Sequence, residues 1–331
     1  MLTLAARRLA WAIVILFTLA AVVYFLQQIS PLDPVRAELG AQASAQAVAD
    51  RRHALGLDRP LLAQLGHYLM GIVQGDLGSS YRTHRSVTTD LLAYLPATVE
   101  LTIAGLFFAV TLALLFAFGS VLHWPGSGIV RSLLLVGASA PAFLLGIAGI
   151  IVFYQQLGWL PANGRSAELF GPTGPTGLLT LDALLHGDPS LAWDALQHLI
   201  LPGLAISLVP AVAIGRVLRS SLLADQHSDY ARTARAKGLT EWTILYRHLL
   251  RNTLGAALSM TGLQVGLMFA GVLVVEQVFG WPGVGQYVAQ SIPAADFPAI
   301  AGVTIVLGAL YVVINTVVDL LQAVADPRIR T

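Results

Sequence analysis

The segment of this chain with the most patterned chemistry is Asp229-Tyr230-Ala231-Arg232-Thr233-Ala234-Arg235-Ala236-Lys237-Gly238-Leu239-Thr240. Ser228 or Asp229 can cap a helix start through a side-chain oxygen. Ala231, Ala234 and Ala236 favour helix, and Gly238 suits a left-handed stop just past the last turn. Arg235 and Lys237 complement the negative end of the helix dipole. The spacing predicts a helix of about two turns. A helix so short is not stable alone in water, so something must pack on it. Ala231 and Ala234, three apart, share one face. The expectation is that this alanine face receives a partner protein. The bland alternative is a solvated basic loop.

Other residues have the types for chemistry but less pattern. Glu100 and Glu276 stand at the ends of apolar stretches, where a carboxylate is a functional candidate or a solvated cap. Gln264 and Asn315 lie deeper and are expected to hydrogen-bond between helices. Glu100, Gln264, Glu276 and Phe279 are the candidates for a solute pathway or gate. The eight histidines include no pair at i,i+3 or i,i+4 spacing and are scattered along the chain, so a dedicated metal site is not expected. The chain has no cysteine, which removes disulfides, zinc-thiolate sites, iron–sulfur clusters and cysteine nucleophiles. A nucleotide-binding Gly-x-x-x-x-Gly-Lys-Ser/Thr loop needs a lysine before Ser or Thr, but the only lysine, Lys237, precedes Gly238. His-Glu-x-x-His and Gly-x-Ser-x-Gly are also missing, so the chain is not expected to be an enzyme or to hold a cofactor.

The elements that must position these residues are membrane spans. Of 331 residues, 56% are hydrophobic and 11% charged, less than half the charge of a soluble domain. The net charge of +1 gives no case for nucleic acid. Six stretches without a charged residue or histidine are long enough, or nearly so, to cross a bilayer: 9–29, 101–122, 132–157, 199–215, 252–275 and 297–318. The fourth can continue past Arg216 and Arg219 to Leu223 if those side chains snorkel. The first is read as an uncleaved span rather than a signal peptide, because its apolar run exceeds a normal signal core. Ser139-Ala140-Pro141, Pro202 and Pro210 are expected to kink their spans. Twelve of the nineteen Lys and Arg side chains fall before span one, between spans two and three, between spans four and five, or at the end. Arg165 is the only one in the two short segments on the other side. Both termini are therefore expected in the cytoplasm.

The fold expected is an all-α polytopic membrane protein with six transmembrane helices. Residues 1–29 hold the first, 30–95 form an external subdomain, and 96–331 form a core with the other five and a cytoplasmic loop at 224–251. In the external part, 41–54 reads as a short helix, Asp58-Arg59-Pro60 as a helix start, and Gly75–Ser80 as turns. Gly171–Gly177 reads as a turn-rich surface excursion.

The patterned segment, followed by Arg247-His248-x-Leu250-Arg251-Asn252, resembles the cytoplasmic signature loop of ABC-transporter permeases, and more narrowly the B-type permease of dipeptide, oligopeptide and nickel importers. Leu55–Pro60, Gly75–Ser80, Leu95-Pro96-Ala97-Thr98-Val99-Glu100-Leu101, Leu157–Pro161, Val275-Glu276-Gln277-Val278-Phe279-Gly280-Trp281-Pro282-Gly283-Val284-Gly285 and Asp326–Arg330 resemble that branch in the same order. Arg232-Thr233-Ala234 replaces the Glu-Ala-Ala of the broad permease pattern, as the peptide branch does. Pro31-Leu32-Asp33-Pro34 replaces Pro-Gly-Asp-Pro.

The resemblance implies half of a translocation path in a bacterial inner membrane, multi-pass and lipid-embedded. The partners it implies are a second homologous permease, two ATPases that bind ATP and magnesium, and an extracytoplasmic substrate-binding protein. Asp229–Gly238 would be the coupling helix, carrying ATP-driven motion into the spans. A bulky residue at Ala231 or Ala234 would then uncouple hydrolysis from uptake. The competing reading is a self-contained secondary transporter or channel, which favours paired ionisable residues in mid-span; none is visible in the sequence. Cargo stays open among dipeptides, longer peptides, glutathione, metal chelates and sugars.

Overall fold

A computed structural model of the chain describes residues 2–29, 34–40, 42–54, 56–167 and 174–325. Asp326–Arg330, residues 31–33 of the Pro-Leu-Asp-Pro variant, Leu55 and residues 171–173 of the turn-rich loop lie outside these. Among the described residues the regular structure is helical, as a lipid-embedded backbone requires, since helices satisfy their own hydrogen bonds. The helices are α1 (Leu2–Ile29), α2 (Pro34–Leu39), α3 (Ala45–Ala54), α4 (Leu61–Val73), α5 (Val87–Val121), α6 (Ser127–Gly137) and α7 (Ala142–Gly149), which widens into π geometry over Ile150–Gln156. There follow α8 (Leu179–Leu185), α9 (Pro189–Asp225), α10 (Asp229–Ala236), α11 (Glu241–Ile244), a π turn at Leu245–Leu249, α12 (Leu250–Val278), α13 (Val284–Ser291) and α14 (Phe297–Ala325).

Five stretches are long and apolar enough to cross a membrane: Ala10–Ile29, Val87–Val121, Pro189–Asp225, Glu241–Val278 and Phe297–Gln322. They match five of the six expected spans. The fourth expected span runs on through Arg216 and Arg219, as the snorkelling argument allowed. The third is different. Ser127–Gly137 and Ala142–Gln156 meet at 112°, a break rather than a kink. Pro141 has no N–H to continue the ladder and disfavours helix at Ala140. α7 restarts with Pro141 at its N-cap, at φ −59° and ψ 145°. Pro202 and Pro210, by contrast, sit inside an unbroken α9. Asp188 caps α9 by accepting from the Ser190 and Leu191 N–H groups at 3.1 and 3.0 Å. The Ser190 hydroxyl beside it holds the Asp188 carboxyl below its usual range.

The chain divides into two compact units: Met1–Pro96 with Pro282–Val312, and Ala97–Trp281 with Val313–Thr331. The first is held by two buried carboxylates. Asp296 accepts from Ser80 Oγ, from the Tyr81 N–H at 3.1 Å and from the Ala299 N–H of α14 at 3.4 Å. Asp90 accepts from Thr83 Oγ1 at 2.6 Å and Tyr287 OH at 3.2 Å. Burial raises the Tyr287 phenol above its usual value, which keeps that proton in place as a donor.

The second unit has a core of Leu101 from α5, Leu199, Ala205 and Ile206 from α9, Met268, Val272 and Val275 from α12, and Phe279 with Trp281. α5 and α9 approach closely at Gly105. A Cβ there would lie 2.4 Å from Ile206 Cδ1 and 2.5 Å from Cγ1. Overpacking a filled interior costs about 1–3 kcal/mol. Gly105→Leu is expected to lower the thermal stability of the detergent-purified protein, followed by the loss of its monodisperse chromatographic peak on heating. Gly255→Ala, with nothing within 4 Å of the added carbon, should leave that curve unmoved.

Candidate functional site

The patterned segment forms a helix, and its ends are built as its residues dictate. Ser228 Oγ, at the N-cap, accepts from the Ala231 N–H at 3.4 Å. At the other end Gly238 takes φ +75°, and two bonds close a Schellman motif. The Gly238 N–H reaches Arg235 O at 2.9 Å and the Leu239 N–H reaches Ala234 O at 3.3 Å. Arg235 ties the helix to both neighbouring turns. Its Nη1 donates to Gln226 O at 2.9 Å, while Nε and Nη2 donate to the two Glu241 oxygens at 2.7 and 3.1 Å. Tyr230 OH donates to Asp225 Oδ2 at 2.8 Å, pinning the helix to the end of α9.

The orientation of α10 corrects the sequence reading. Ala231 and Ala234 do not face outward to a partner. They are 0% and 5% exposed and pack with Phe118 and Val121 of α5, Leu218 and Leu222 of α9, and Ile244, Leu245 and Leu249. The physical reason lies in the flanking segments, which bring their own apolar side chains to the only apolar face this short helix has. Asp229, Arg232, Thr233 and Ala236 form the outward face instead, with Asp229 and Arg232 side chains 92% and 72% exposed. Those two form an ion pair across one turn. Lys237 and Gly238 are exposed at the helix end. Beside α10 lies an open cleft of about 330 Å³ lined by His123, His227, Arg235 and Glu241.

A second polar assembly lies elsewhere in the same unit, at Ala97–Thr102 of α5. Along that helix it is about 28 Å from the α10 seat. Glu100 is not solvated: it is buried, ion-paired, and takes an N–H from the first turn of α8. Its Oε2 accepts from Arg165 Nη2 at 2.5 Å and its Oε1 from the Thr180 N–H at 2.8 Å. Arg165 also donates to Gly177 O at 3.0 Å, and its guanidinium stands 5.9 Å from the centre of the Trp281 ring. Trp281 donates through Nε1 to Ala97 O at 2.9 Å. Thr98 donates to Glu276 Oε1 at 2.6 Å, with both residues fully buried. Phe279 fills the space beside Gly146, where a Cβ would fall 2.8 Å from its ring.

Glu100, Glu276 and Phe279 therefore belong to one neighbourhood. Gln264 does not, being about 18 Å from Glu276 along α12. Nor does Gln264 make the interhelical bond expected of it. Its Nε2 donates to Met260 Sδ at 3.7 Å within the same helix, and its Oε1 is buried with no partner. Among the described residues no group of three or more His, Asp or Glu is placed to hold a metal ion.

Sequence reasoning did not single out Arg165, Thr98 and Trp281 as functional. Arg165 carries a signal as the lone cation of the two short segments, but that count by itself speaks only to topology. Buried charge needs a partner, and Glu100 was the unpaired carboxylate within an apolar run.

Fold and site together define a multi-span helical membrane protein with a short polar helix seated on its own spans. Comparison with known proteins gives the family. Residues 91–331 match the family described as Binding-protein-dependent transport system inner membrane component. Residues 1–102 match Binding-prot-dependent transport system membrane comp, N-term. The chain belongs to this family and is an inner-membrane permease subunit of an ABC importer. Over its whole length it is 38% identical to the dipeptide transport system permease protein DppB of Alkalihalophilus pseudofirmus, all of which is covered. It is 40% identical to the probable D,D-dipeptide transport system permease protein DdpB of Escherichia coli, over 98% of this chain and 96% of that one. It is 34% identical to the glutathione transport system permease protein GsiC of Salmonella typhi, over 100% and 99%. The reading as a self-contained secondary transporter is not favoured.

Losing one member of a buried ion pair costs about 3–5 kcal/mol, much of it from the charge left behind. Arg165→Met alone should sharply lower stability and membrane level. Glu100→Gln with Arg165→Met should recover most of the loss, as read by a double-mutant thermal-stability cycle. Equal loss in the single and double variants would show that the pair is not coupled.

Proposed function

We propose that this chain forms half of the translocation path of an ATP-driven importer for short peptides or related small solutes. Its partners are a second, homologous permease, two ATPases that bind ATP and magnesium, and a substrate-binding protein on the outer face. In this reading the chain carries no catalytic chemistry and no cofactor. Both termini and α10 lie in the cytoplasm, supported by the distribution of Lys and Arg. The printed names of the relatives support the cargo class, because dipeptide, D,D-dipeptide and glutathione share amide bonds and terminal carboxylates.

The observation that carries the mechanism is the rigid seat of α10. A helix fixed on α5, α9 and the start of α12 transmits a push to three long helices at once. A partner ATPase grips Asp229, Arg232, Thr233 and Ala236, while Tyr230, Arg235, Ala231 and Ala234 hold the helix to the permease. Closure of the ATPases moves α10, and the spans then switch the side to which the path opens. Glu276, Glu100 and Phe279 stand near the end of the path away from α10. They act there by fixing α5, the segment after α7 and the end of α12 into one block, which opens or closes as a unit. Gln264, with its unpaired amide oxygen, is the candidate solute contact in mid-span.

Two variants separate grip from seat in the reconstituted four-subunit transporter with its binding protein. Arg232→Glu is expected to leave assembly and thermal stability unchanged and to lower dipeptide uptake per ATP hydrolysed by about tenfold or more, since a like charge replaces a surface cation. Ala231→Leu overpacks the seat and should lower stability as well as uptake. Normal coupling with Arg232→Glu would rule out the outward face as the grip. Failure of any di- or tripeptide to enter, while another solute does, would rule out the cargo class.

A further inference from the structure

We propose that α4 is a membrane-surface helix whose face of Leu62, Gly66, Met70 and Val73 lies among the acyl chains of the leaflet that holds the C-terminal end of α1. The depth follows from two contacts within one compact unit. Tyr24 OH donates to Gln64 Oε1 at 2.9 Å, and the Tyr24 ring stands 5.4 Å from that of Tyr68. Tyr24 lies inside the apolar span Ala10–Ile29, about 7.5 Å short of its end at 1.5 Å per residue. A helix touching Tyr24 with two successive turns is held at that depth. It is not raised into water beyond Ile29.

The faces of α4 agree. Gln64 and Tyr68, four apart, point to α1. Leu62, Gly66, Met70 and Val73 lie on the opposite side at 100° per residue. Leu62, Met70 and Val73 are 79%, 58% and 66% exposed. The 13 residues Leu61–Val73 include no Asp, Glu, Lys or Arg. Val22, Phe25 and Leu26 of α1 are exposed and apolar as well. His67, with Gln74 just past the helix, lies about a quarter-turn further round and can face the headgroups. Burial pushes the Tyr68 phenol up to about 12, as fits a ring already withdrawn from water between the two helices. A soluble partner would have to enter the bilayer to cover this face, whereas acyl chains are already there. That is the arrangement of an interfacial helix. It revises the reading of residues 30–95 as wholly external. The proposed orientation enters only in naming the leaflet, which it makes the outer one.

The absence of cysteine makes the test direct. Leu62→Cys and Val73→Cys, each nitroxide-labelled, are placed in the assembled transporter in phosphatidylethanolamine–phosphatidylglycerol nanodiscs. Collision with oxygen is expected to exceed collision with a water-soluble nickel chelate by about threefold or more, as for the lipid reference Phe25→Cys. The aqueous reference Gln46→Cys should show the reverse. Nickel accessibility equal to that of Gln46→Cys overturns the proposal in favour of a helix in water. Shielding from both reagents overturns it in favour of a protein partner. Orientation is read separately, from whether a membrane-impermeant maleimide added outside intact cells reaches Gln46→Cys. A failure there reverses the leaflet and the proposed topology but leaves the depth result intact.

Discussion

A two-turn helix cannot hold itself together, and the contact of Ala231 and Ala234 with three other helices is what makes α10 a structural part at all. Alanine is the side chain that allows this. It favours helix, adds little bulk and lets the α10 backbone come close to Phe118, Leu222 and Leu245. The caps, the Schellman closure and the three hydrogen bonds of Arg235 then fix the helix along its length and around its axis. A lever works only if it does not turn in its socket.

The other end of the same unit faces a different constraint. A carboxylate within an apolar run needs a partner or it destabilises the fold. Glu100 finds Arg165 and a backbone N–H, and Glu276 finds Thr98. These bonds cross between α5, the segment after α7 and the end of α12, so satisfying the charges also welds three separate pieces of chain. Trp281 adds a fourth tie by donating to Ala97 O. Beyond the break at Pro141, Phe153 and Leu160 pack against the Leu101–Phe279 core.

Much of this could be read from particular residues. Apolar run length placed the spans, because a bilayer of fixed thickness imposes a minimum length. Ser228 and Gly238 bounded α10 to within a residue, because capping depends on chemistry local to the helix end. The bend at Pro141 was legible as a position but not as a magnitude, since whether a proline kinks or breaks a helix depends on what packs around it. Pro202 and Pro210 show the milder outcome in α9. The exposed face of α10 is not legible in the sequence for a related reason. Two alanines three apart show that a face is small, but not whether the surface that fills the gap belongs to the same chain.

The sequence by itself determined membrane residence, the approximate spans, the existence and limits of the short basic helix and the family pattern. Each of these depends on composition or on neighbours within a few residues. Only the tertiary structure decided which side of α10 is buried and which carboxylate pairs with which cation. It also decided that the segments around Glu100 and Glu276 meet, and that α4 lies against α1 at the level of Tyr24. Apart from the seat of α10, whose partners lie as near in sequence as Leu222 and Ile244, those are contacts between residues 40 to 184 positions apart, and nothing in the local sequence around either partner specifies the other.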